Sequence, residues 1–263
     1  MKKTVSCLAL ALALYTLPGT AHATPVMPDF ASAPAGWSTD RYEPASFGNV
    51  GSFQGRSDVL GIAISSADAL PNRPSGYQST FYNTQGRQHS ITGGAGSTLA
   101  ADLYIPQNWS DASNGTVRTD MWGVMTNGST VSDYTIIGFT NYGGPTLRVW
   151  DQDTANGWVN LATAVDYDAW TDLAIDFTGS SYIYSVNGAV VYTDSTIGGS
   201  TGFQAVIMQA YNFGGDPSIP GANPEDYTAN WSNTQPVPEP GTMMLLGAGF
   251  LGLAVLGKRR KNA

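Results

Sequence analysis

Acidic side chains two residues apart are the first feature of this sequence that could do chemistry. Asp151 and Asp153 form one such pair, and Asp166 and Asp168 form another. Residues at positions i and i+2 of a strand point to the same face, and two carboxyl groups about 5–5.5 Å apart can act as nucleophile and acid in glycoside hydrolysis. Loop aspartates that flank strands are the simpler interpretation of both pairs. The stretch 24–235 holds only two glutamates, which are far apart.

Other catalytic groups are scarce in the chain. It has one cysteine, Cys7, and two histidines, of which only His89 lies beyond the first 23 residues. His89 lies in a polar stretch that we expect to be a loop, and no G-x-S-x-G sequence lies near it. A Ser-His-Asp triad and a histidine-based zinc site are therefore disfavoured. We expect no catalytic residues, no cofactor and no enzymatic activity.

The stretch from Asp151 to Gly157 resembles a calcium-binding loop, in which oxygen ligands fall at positions 1, 3 and 5 and a glycine at position 6. Asp151 and Asp153 fit the first two ligand positions, but Ala155 takes the third and Gly157 comes one residue late. A hairpin loop is the simpler interpretation, and a structural calcium ion is the alternative.

Aromatic side chains could either fill a core or stack on the apolar faces of sugars. Trp122, Trp150 and Trp170 lie within predicted strands, so we expect them mostly in the core. Trp109 and Trp158 lie next to loops and are better candidates for sugar contact. The predicted sugar-binding residues are Trp109, Trp158, Asp151 and Asp153.

The elements that position these side chains are predicted to be strands, because apolar residues alternate with polar ones and turn residues recur. Leu173, Ile175 and Phe177 share one face of a predicted strand, and Asn187-Gly188 between two β-rich runs predicts a hairpin with a type I′ turn. No helical periodicity and no internal repeat is evident in 24–235. Further strands are predicted at 58–65, 97–104, 116–125, 134–140, 146–150, 158–162, 203–210 and 227–231.

Charge is distributed unevenly along the chain. The stretch 24–235 has six basic residues, all of them arginine, against 19 acidic residues, which leaves a net charge of −13. Such a surface repels phosphate backbones, so nucleic acid is excluded as a partner.

The amino terminus joins positive charge, an apolar run and small residues. Lys2 and Lys3 precede an apolar run that extends to Leu17, and Ala21 and Ala23 form an A-x-A cleavage pattern. Residues 1–23 are therefore predicted to be a signal peptide that a signal peptidase removes during export. An amino-terminal membrane helix is the alternative.

The carboxyl terminus holds an apolar run at 242–257 before a basic cluster. At about 1.5 Å per residue the run reaches roughly 24 Å, short of the ~30 Å hydrocarbon core, and its four glycines weaken it as a permanent span. It is predicted to be a single transmembrane helix that holds the protein at the membrane before processing, with the preceding domain facing the periplasm. The basic cluster, expected on the cytoplasmic side, is Lys258, Arg259, Arg260 and Lys261.

The order of these parts resembles the PEP-CTERM sorting signal of Gram-negative bacteria, with Pro238, Glu239 and Pro240 as the matching tripeptide. This resemblance implies recognition by an exosortase, cleavage near the tripeptide, and delivery to the outer surface or extracellular matrix. Proteins of this kind often accompany exopolysaccharide production. An ordinary short anchor is the alternative. The predicted organisation is a signal peptide at 1–23, a domain at 24–235, and a sorting signal at 236–263.

The middle of the chain resembles concanavalin A-like lectins and glucanases. The resemblance rests on the hairpin within 170–193, followed by FQAVIMQAYN and YTANWSN, with FYNTQGRQ and ADLYIPQNW as earlier strands. It implies an all-β, antiparallel jelly-roll sandwich with carbohydrate affinity. Retaining glucanases of this fold carry an E-x-D-x-(x)-E pattern on one strand, which 24–235 lacks.

These observations favour an exported, non-catalytic domain that binds polysaccharide. A purely structural or adhesive surface protein is the alternative, and a divergent glycoside hydrolase using Asp166 and Asp168 is the third.

Overall fold

The computed structural model describes residues 24–233. The predicted signal peptide, the PEP tripeptide, the apolar run and the basic cluster lie outside the described residues. Within them the chain forms fifteen strands and six short 3₁₀ helices, as the prediction of an all-β domain requires. No helix of the described part is long and apolar enough to cross a membrane.

The strands, numbered in chain order, have these bounds: β1 Thr24–Val26, β2 Trp37–Thr39, β3 Ser46–Asn49, β4 Leu60–Ile64, β5 Thr84–Gly93, β6 Ser97–Ile105, β7 Arg118–Asn127, β8 Thr130–Thr140, β9 Thr146–Trp150, β10 Trp158–Asn160, β11 Ala169–Phe177, β12 Tyr182–Val186, β13 Ala189–Asp194, β14 Gly202–Tyr211 and β15 Tyr227–Ser232.

Two sheets form a jelly-roll-like sandwich. The first sheet, here called sheet A, has the strand order β13-β12-β11-β6-β15-β4-β3, and β1 also pairs with β6. Sheet B has the order β10-β9-β8-β7-β14-β5-β2. The ladders are antiparallel except for the three-residue pairing of β1 with β6, which is parallel and therefore departs from a purely antiparallel prediction.

The core lies between the sheets and is built by alternation. On β11, Leu173, Ile175 and Phe177 are buried in the core, as their spacing predicted. On β7, Met121 and Met125 point into the same core from the other sheet. Because successive side chains of a strand point to opposite faces, the residues between them face outward.

The β12–β13 hairpin confirms the turn prediction. Asn187 and Gly188 both have positive φ, of 50° and 74°, as a type I′ turn requires. The alternation pattern does not predict β5, and only the resemblance placed an earlier strand at FYNTQGRQ, which overlaps it. In the structure β5 pairs with β14 on one side and with β2 on the other. Polar residues occupy most of β5, so the alternation signal was weak there.

Candidate functional site

The outward side of sheet B, here called the groove face, carries a second apolar cluster separate from the core. Trp122 and Val124 of β7, Ile136 of β8 and Ile207 of β14 form its buried part, and Trp150 and Trp158 pack against it. Strand alternation places these residues outward, because their neighbours along each strand fill the core. A soluble sheet normally keeps such a face polar, so an aromatic patch here marks a candidate binding surface.

An open groove of about 300 Å³ lies on this patch and is called the aromatic groove. Its two tryptophans at the sheet edge, Trp150 and Trp158, meet edge to face with ring centres 5.2 Å apart. Gly157 (φ 71°) lies under Trp150, where a Cβ atom would come within 2.2 Å of the ring. The groove is lined by Arg41, Thr84, Arg118, Trp122, Tyr134, Ile136, Trp150 and Trp158.

A second groove of about 230 Å³, the polar groove, adjoins the first at Tyr134, which lines both. Tyr134 is 40% exposed and Val131 on the same rim is 44% exposed. The two grooves therefore form an extended surface across sheet B. The polar groove is lined by Gly36, Ser38, Asp40, Gln88, Ser90, Val124, Val131, Tyr134, Gln204, Ala205 and Ile207.

A buried charge cluster lies at the end of the aromatic groove. Asp120 is fully buried, and its Oδ2 accepts hydrogen bonds from Arg118 Nε at 2.7 Å and from Gln209 Nε2. Nη2 of Arg148 lies 3.6 Å from Asp120 Oδ1. Register explains this contact: Gly138 lies between Arg148 and Asp120 in the sheet, and its missing side chain lets the two reach across the strand.

Several polar atoms of this cluster have no hydrogen-bond partner within the described structure, and most buried polar groups of proteins do have one. They include Nε and Nη2 of Arg148, Oδ1 of Asp120, Oε1 of Gln209 and Nε1 of Trp122. Burial, together with the neighbouring Arg118, lowers the pKa of Arg148 to about 9, and Asp120 opposes that shift. Two residues of this cluster, Arg118 and Trp122, also line the aromatic groove, so the unpaired polar atoms lie beside it.

Arginines also stack on the aromatic rings. The guanidinium carbon of Arg148 lies 3.6 Å from the centre of the Trp158 ring, and that of Arg118 lies 4.8 Å from it. Arg41 lies 4.8 Å from the Trp122 ring, and its Nε lies 3.4 Å from Asp40. Burial raises the pKa of Asp40, which lines the polar groove.

The four predicted sugar-binding residues do not lie together in the structure. Trp158 lines the aromatic groove. Trp109 does not fit its predicted role, since it is 4% exposed and stacks on Phe139 within the core. Asp151 is buried and accepts a hydrogen bond from Tyr192, whereas Asp153 is exposed; neither lines either groove.

Three predictions about tryptophans placed in the core need correction. Trp122 is nearly buried, but it belongs to the outward cluster of sheet B. Trp150 also faces outward, and Trp170 lies half-buried on the outer side of sheet A against Tyr104. Alternation showed which residues share a face of a strand, but it did not show which face meets the other sheet.

The remaining candidates lie elsewhere. Asp166 and Asp168 are exposed and line neither groove, and Asp168 Oδ1 accepts a hydrogen bond from the Gln107 amide. His89 lies on β5 rather than in a loop, with Nδ1 2.9 Å from the Gly36 carbonyl oxygen.

Carboxylate oxygens of Asp151, Asp153 and Asp194 lie within 4.8 Å of one another, and these are the residues of the described part that could hold a metal ion. Calcium takes six to eight oxygen ligands, and Asp151 already accepts hydrogen bonds on both oxygens. A structural calcium ion at this loop stays a prediction. A rise in melting temperature on adding calcium is the measurement that decides it.

Sequence reasoning missed the charge cluster of Arg118, Asp120 and Arg148. One signal was available: Arg118, Asp120 and Trp122 occupy alternate positions of a predicted strand, so they share a face. The E-x-D-x-(x)-E pattern is not found there, since only the middle of these three positions is acidic. The approach of Arg148 from β9 depends on sheet order, which spacing along the chain does not reveal.

Comparison with known proteins identifies the tail. Residues 236–261 match the model of the PEP-CTERM protein-sorting motif. The motif implies export to the cell envelope or surface, with processing by an exosortase. No curated protein matches the chain.

Solved structures of similar fold are jelly-roll glycoside hydrolases. A Bacillus licheniformis β-glucanase is 13% identical, with 78% of this chain and 93% of that chain covered and a TM-score of 0.47. A glycoside hydrolase family 16 endo-glucanase from Bacteroides ovatus is 13% identical, with 78% and 97% covered and a TM-score of 0.45. A transglycosylase in its apo form is 16% identical, with 80% and 89% covered and a TM-score of 0.38. At such identities the likeness concerns the fold.

The prediction that the chain is not an enzyme is wrong as a conclusion from sequence. The claim is not supported, since glucanases and a transglycosylase are among the solved structures to which the chain is similar. Its premises were the lack of an E-x-D-x-(x)-E pattern and the scarcity of cysteine and histidine.

Proposed function

We propose that the chain is an exported surface protein whose groove face binds polysaccharide. The observation that carries this proposal is the aromatic groove with the polar groove beside it. Sugar rings have apolar faces that stack on indole rings, and their hydroxyl groups need hydrogen-bond partners at the edges. Trp150 and Trp158 supply the first kind of contact, and Asp40, Ser38 and Gln88 supply the second.

The extended shape of this surface favours a chain over a single sugar. The two grooves share Tyr134, so a linear ligand could lie across several strands and contact both at once. Stacking of sugar rings on tryptophan would dominate in the aromatic groove, and hydrogen bonds to sugar hydroxyl groups would dominate in the polar groove.

Export brings this surface to the place where polysaccharide occurs. In the proposed route a signal peptidase removes residues 1–23, and an exosortase processes the tail near Pro238, Glu239 and Pro240. The tail holds the protein at the membrane until that step, and the domain 24–235 then reaches the outer surface or the extracellular matrix. Exopolysaccharide is the proposed ligand there.

Replacement of Trp158 tests the binding proposal. Trp158→Ala removes a stacking surface of the aromatic groove, and we expect polysaccharide affinity to fall about tenfold, since one base–aromatic or sugar–aromatic stack contributes on the order of 1–3 kcal/mol. The measurement is calorimetry of the purified protein against a panel of neutral and charged polysaccharides. The matched control is Trp170→Ala, which removes a half-buried tryptophan from the opposite side of the sandwich.

Equal loss of affinity in both variants would contradict the groove as the binding site. Binding to none of the polysaccharides would leave the structural or adhesive role.

Cleavage of the bound polysaccharide is the second candidate function. Asp40 favours it, because a buried carboxyl group with a raised pKa in a groove is suited to act as a general acid. New reducing ends after incubation with each polysaccharide that binds would reveal this activity.

A further inference from the structure

The arginines of this domain are concentrated at the aromatic groove. Of the six arginines in 24–235, Arg41 and Arg118 line the groove and Arg148 lies beside them under Trp158. The domain as a whole has a net charge of −13 and no lysine. A positive site in such a protein opposes the field of the remaining surface, so it calls for a ligand that uses it.

These three arginines lie close enough to repel one another. Arg118 lowers the pKa of both Arg41 and Arg148, in each case added to the larger effect of burial. Arg118 is therefore close enough to both of the other guanidinium groups to affect their pKa values. Grouping like charges in a half-buried groove costs stability unless anions compensate for them.

The anions of the protein compensate only in part. Asp120 is the carboxylate between Arg118 and Arg148, and Asp40 is the one beside Arg41. Three guanidinium groups thus face two carboxylates, which leaves one positive charge. Arg148 meets Asp120 only at 3.6 Å, and its Nε and Nη2 have no hydrogen-bond partner among the described residues.

We infer that the polysaccharide bound by the groove face is acidic and carries carboxylate groups, as uronic acids do. This inference rests on the proposed function and names the ligand class of that same site. A sugar carboxylate placed over the aromatic groove would meet the guanidinium groups of Arg41 and Arg118, while its ring stacks on Trp158. The guanidinium fork matches a carboxylate in a bidentate arrangement, which an ammonium group could not reproduce.

The net charge of the domain sharpens the inference. A polyanion approaching a surface of −13 is repelled everywhere except at a local positive site. Binding of an acidic polysaccharide would therefore indicate contact with the aromatic groove, because general charge attraction cannot explain it.

The test compares polygalacturonate with its methyl ester, whose carboxylates are masked, and with a neutral β-glucan. We expect the purified protein to bind polygalacturonate at least about tenfold more tightly than the other two. Arg41→Gln should reduce affinity for polygalacturonate about tenfold and leave affinity for the neutral polymers unchanged.

The matched control is Arg87→Gln. Arg41 and Arg87 are each about one-fifth exposed and each pairs with one acidic side chain, but Arg87 lies outside both grooves. We expect the affinity of this variant to change less than about twofold, because Arg87 lines neither groove. Melting temperatures of both variants verify that they are folded.

Failure of this inference differs from failure of the proposed function. Equal binding of the three polymers, with Arg41→Gln and Arg87→Gln behaving alike, would overturn the acidic ligand and keep polysaccharide binding. Binding of no polymer would overturn both. A preference for polygalacturonate that is the same in both variants would also overturn the assignment to Arg41 and its neighbours.

Discussion

The two outward faces of the sandwich both carry arginine–aspartate contacts and tryptophan side chains, but the surroundings of these groups differ. On sheet A, Arg56 Nη1 lies 2.6 Å from Asp102 Oδ2, and Asp172 on the neighbouring strand is close enough to raise the pKa of Asp102. On the groove face, Arg118 and Arg148 share Asp120. Acidic groups are therefore in excess beside Arg56 on sheet A, whereas two arginines share one aspartate on sheet B.

The aromatic residues differ in the same way. On sheet A, Trp170 packs against Phe53 and Tyr104, and its Nε1 donates a hydrogen bond to the Gln54 carbonyl oxygen at 3.0 Å. On the groove face, Trp122 Nε1 has no partner in the described structure. The loop that carries Phe53 and Gln54 covers sheet A at this point.

The lesson is that residue type does not distinguish a binding surface from a structural cluster. What distinguishes them is whether the protein itself satisfies the polar atoms and covers the rings. Unsatisfied buried polar atoms are rare in native proteins, and on the groove face several of them lie beside an open groove.

The largest expected difference between the faces concerns their buried aspartates. Asp120→Asn leaves Arg118 and Arg148 without a counter-charge, and we expect it to reduce the free energy of unfolding by about 3 kcal/mol. Asp102→Asn should cost less than about 0.5 kcal/mol, because burial already disfavours the charged form of Asp102, and Arg56 is one-fifth exposed and can turn to water. Chemical denaturation at pH 7 measures both. Equal costs would mean that the two charge clusters are alike.

A second comparison uses one glycine from each face. A Cβ atom on Gly138 would come within 2.3 Å of the Thr119 carbonyl oxygen and 2.4 Å of Asp120 Oδ1. On Gly61 it would meet a methyl group of Val50, which is 53% exposed and free to move.

We therefore expect Gly138→Ala to reduce stability by about 2 kcal/mol and Gly61→Ala by less than about 0.5 kcal/mol. Thermal unfolding of the two variants beside the parent protein measures this. A larger loss for Gly61→Ala would show that the crossing of Gly138 by Arg148 and Asp120 needs no open space.

The last comparison concerns the dependence of stability on pH at Asp102, the buried aspartate of sheet A. Burial raises the pKa of Asp102 to about 6, although Arg56 opposes the shift. The folded protein therefore binds more protons at this site than the unfolded chain between about pH 4 and pH 6. Its contribution to stability is present below the unfolded pKa and is lost as the pH rises through that range, at most about 1.4 kcal/mol per pH unit.

Between pH 4 and pH 7 the Asp102→Asn variant should consequently lose about 2 kcal/mol less stability than the parent protein does. Denaturation curves at several pH values give the difference, and the other carboxyl groups cancel in it. Identical pH profiles would show that Asp102 titrates in the folded state as it does in the unfolded chain.

The elements of the fold could be predicted where the signal is local. The bounds of β9 agree with the prediction, and the turn at Asn187-Gly188 follows from two residues that accept positive φ. Alternation did not predict β5 because its polar residues hide the pattern, and only the resemblance placed a strand at FYNTQGRQ. The place of β5 in the sheet depends on β14 and β2.

The candidate site was predictable only in part. Trp158 was found from its place beside a loop, and it lines the aromatic groove. Trp109 has the same local context but stacks on Phe139 in the core, and nothing near it in the chain distinguishes the two.

The sequence by itself determined the all-β character of the domain, the acidic charge with its few arginines, and the sorting motif at the end. These depend on composition and on neighbours along the chain, which the sequence displays directly. Only the tertiary structure decided which face of each strand is covered and that Arg118 and Arg148 meet at Asp120. Those contacts join strands distant in the chain, and their geometry follows from sheet order and register, which no local pattern contains.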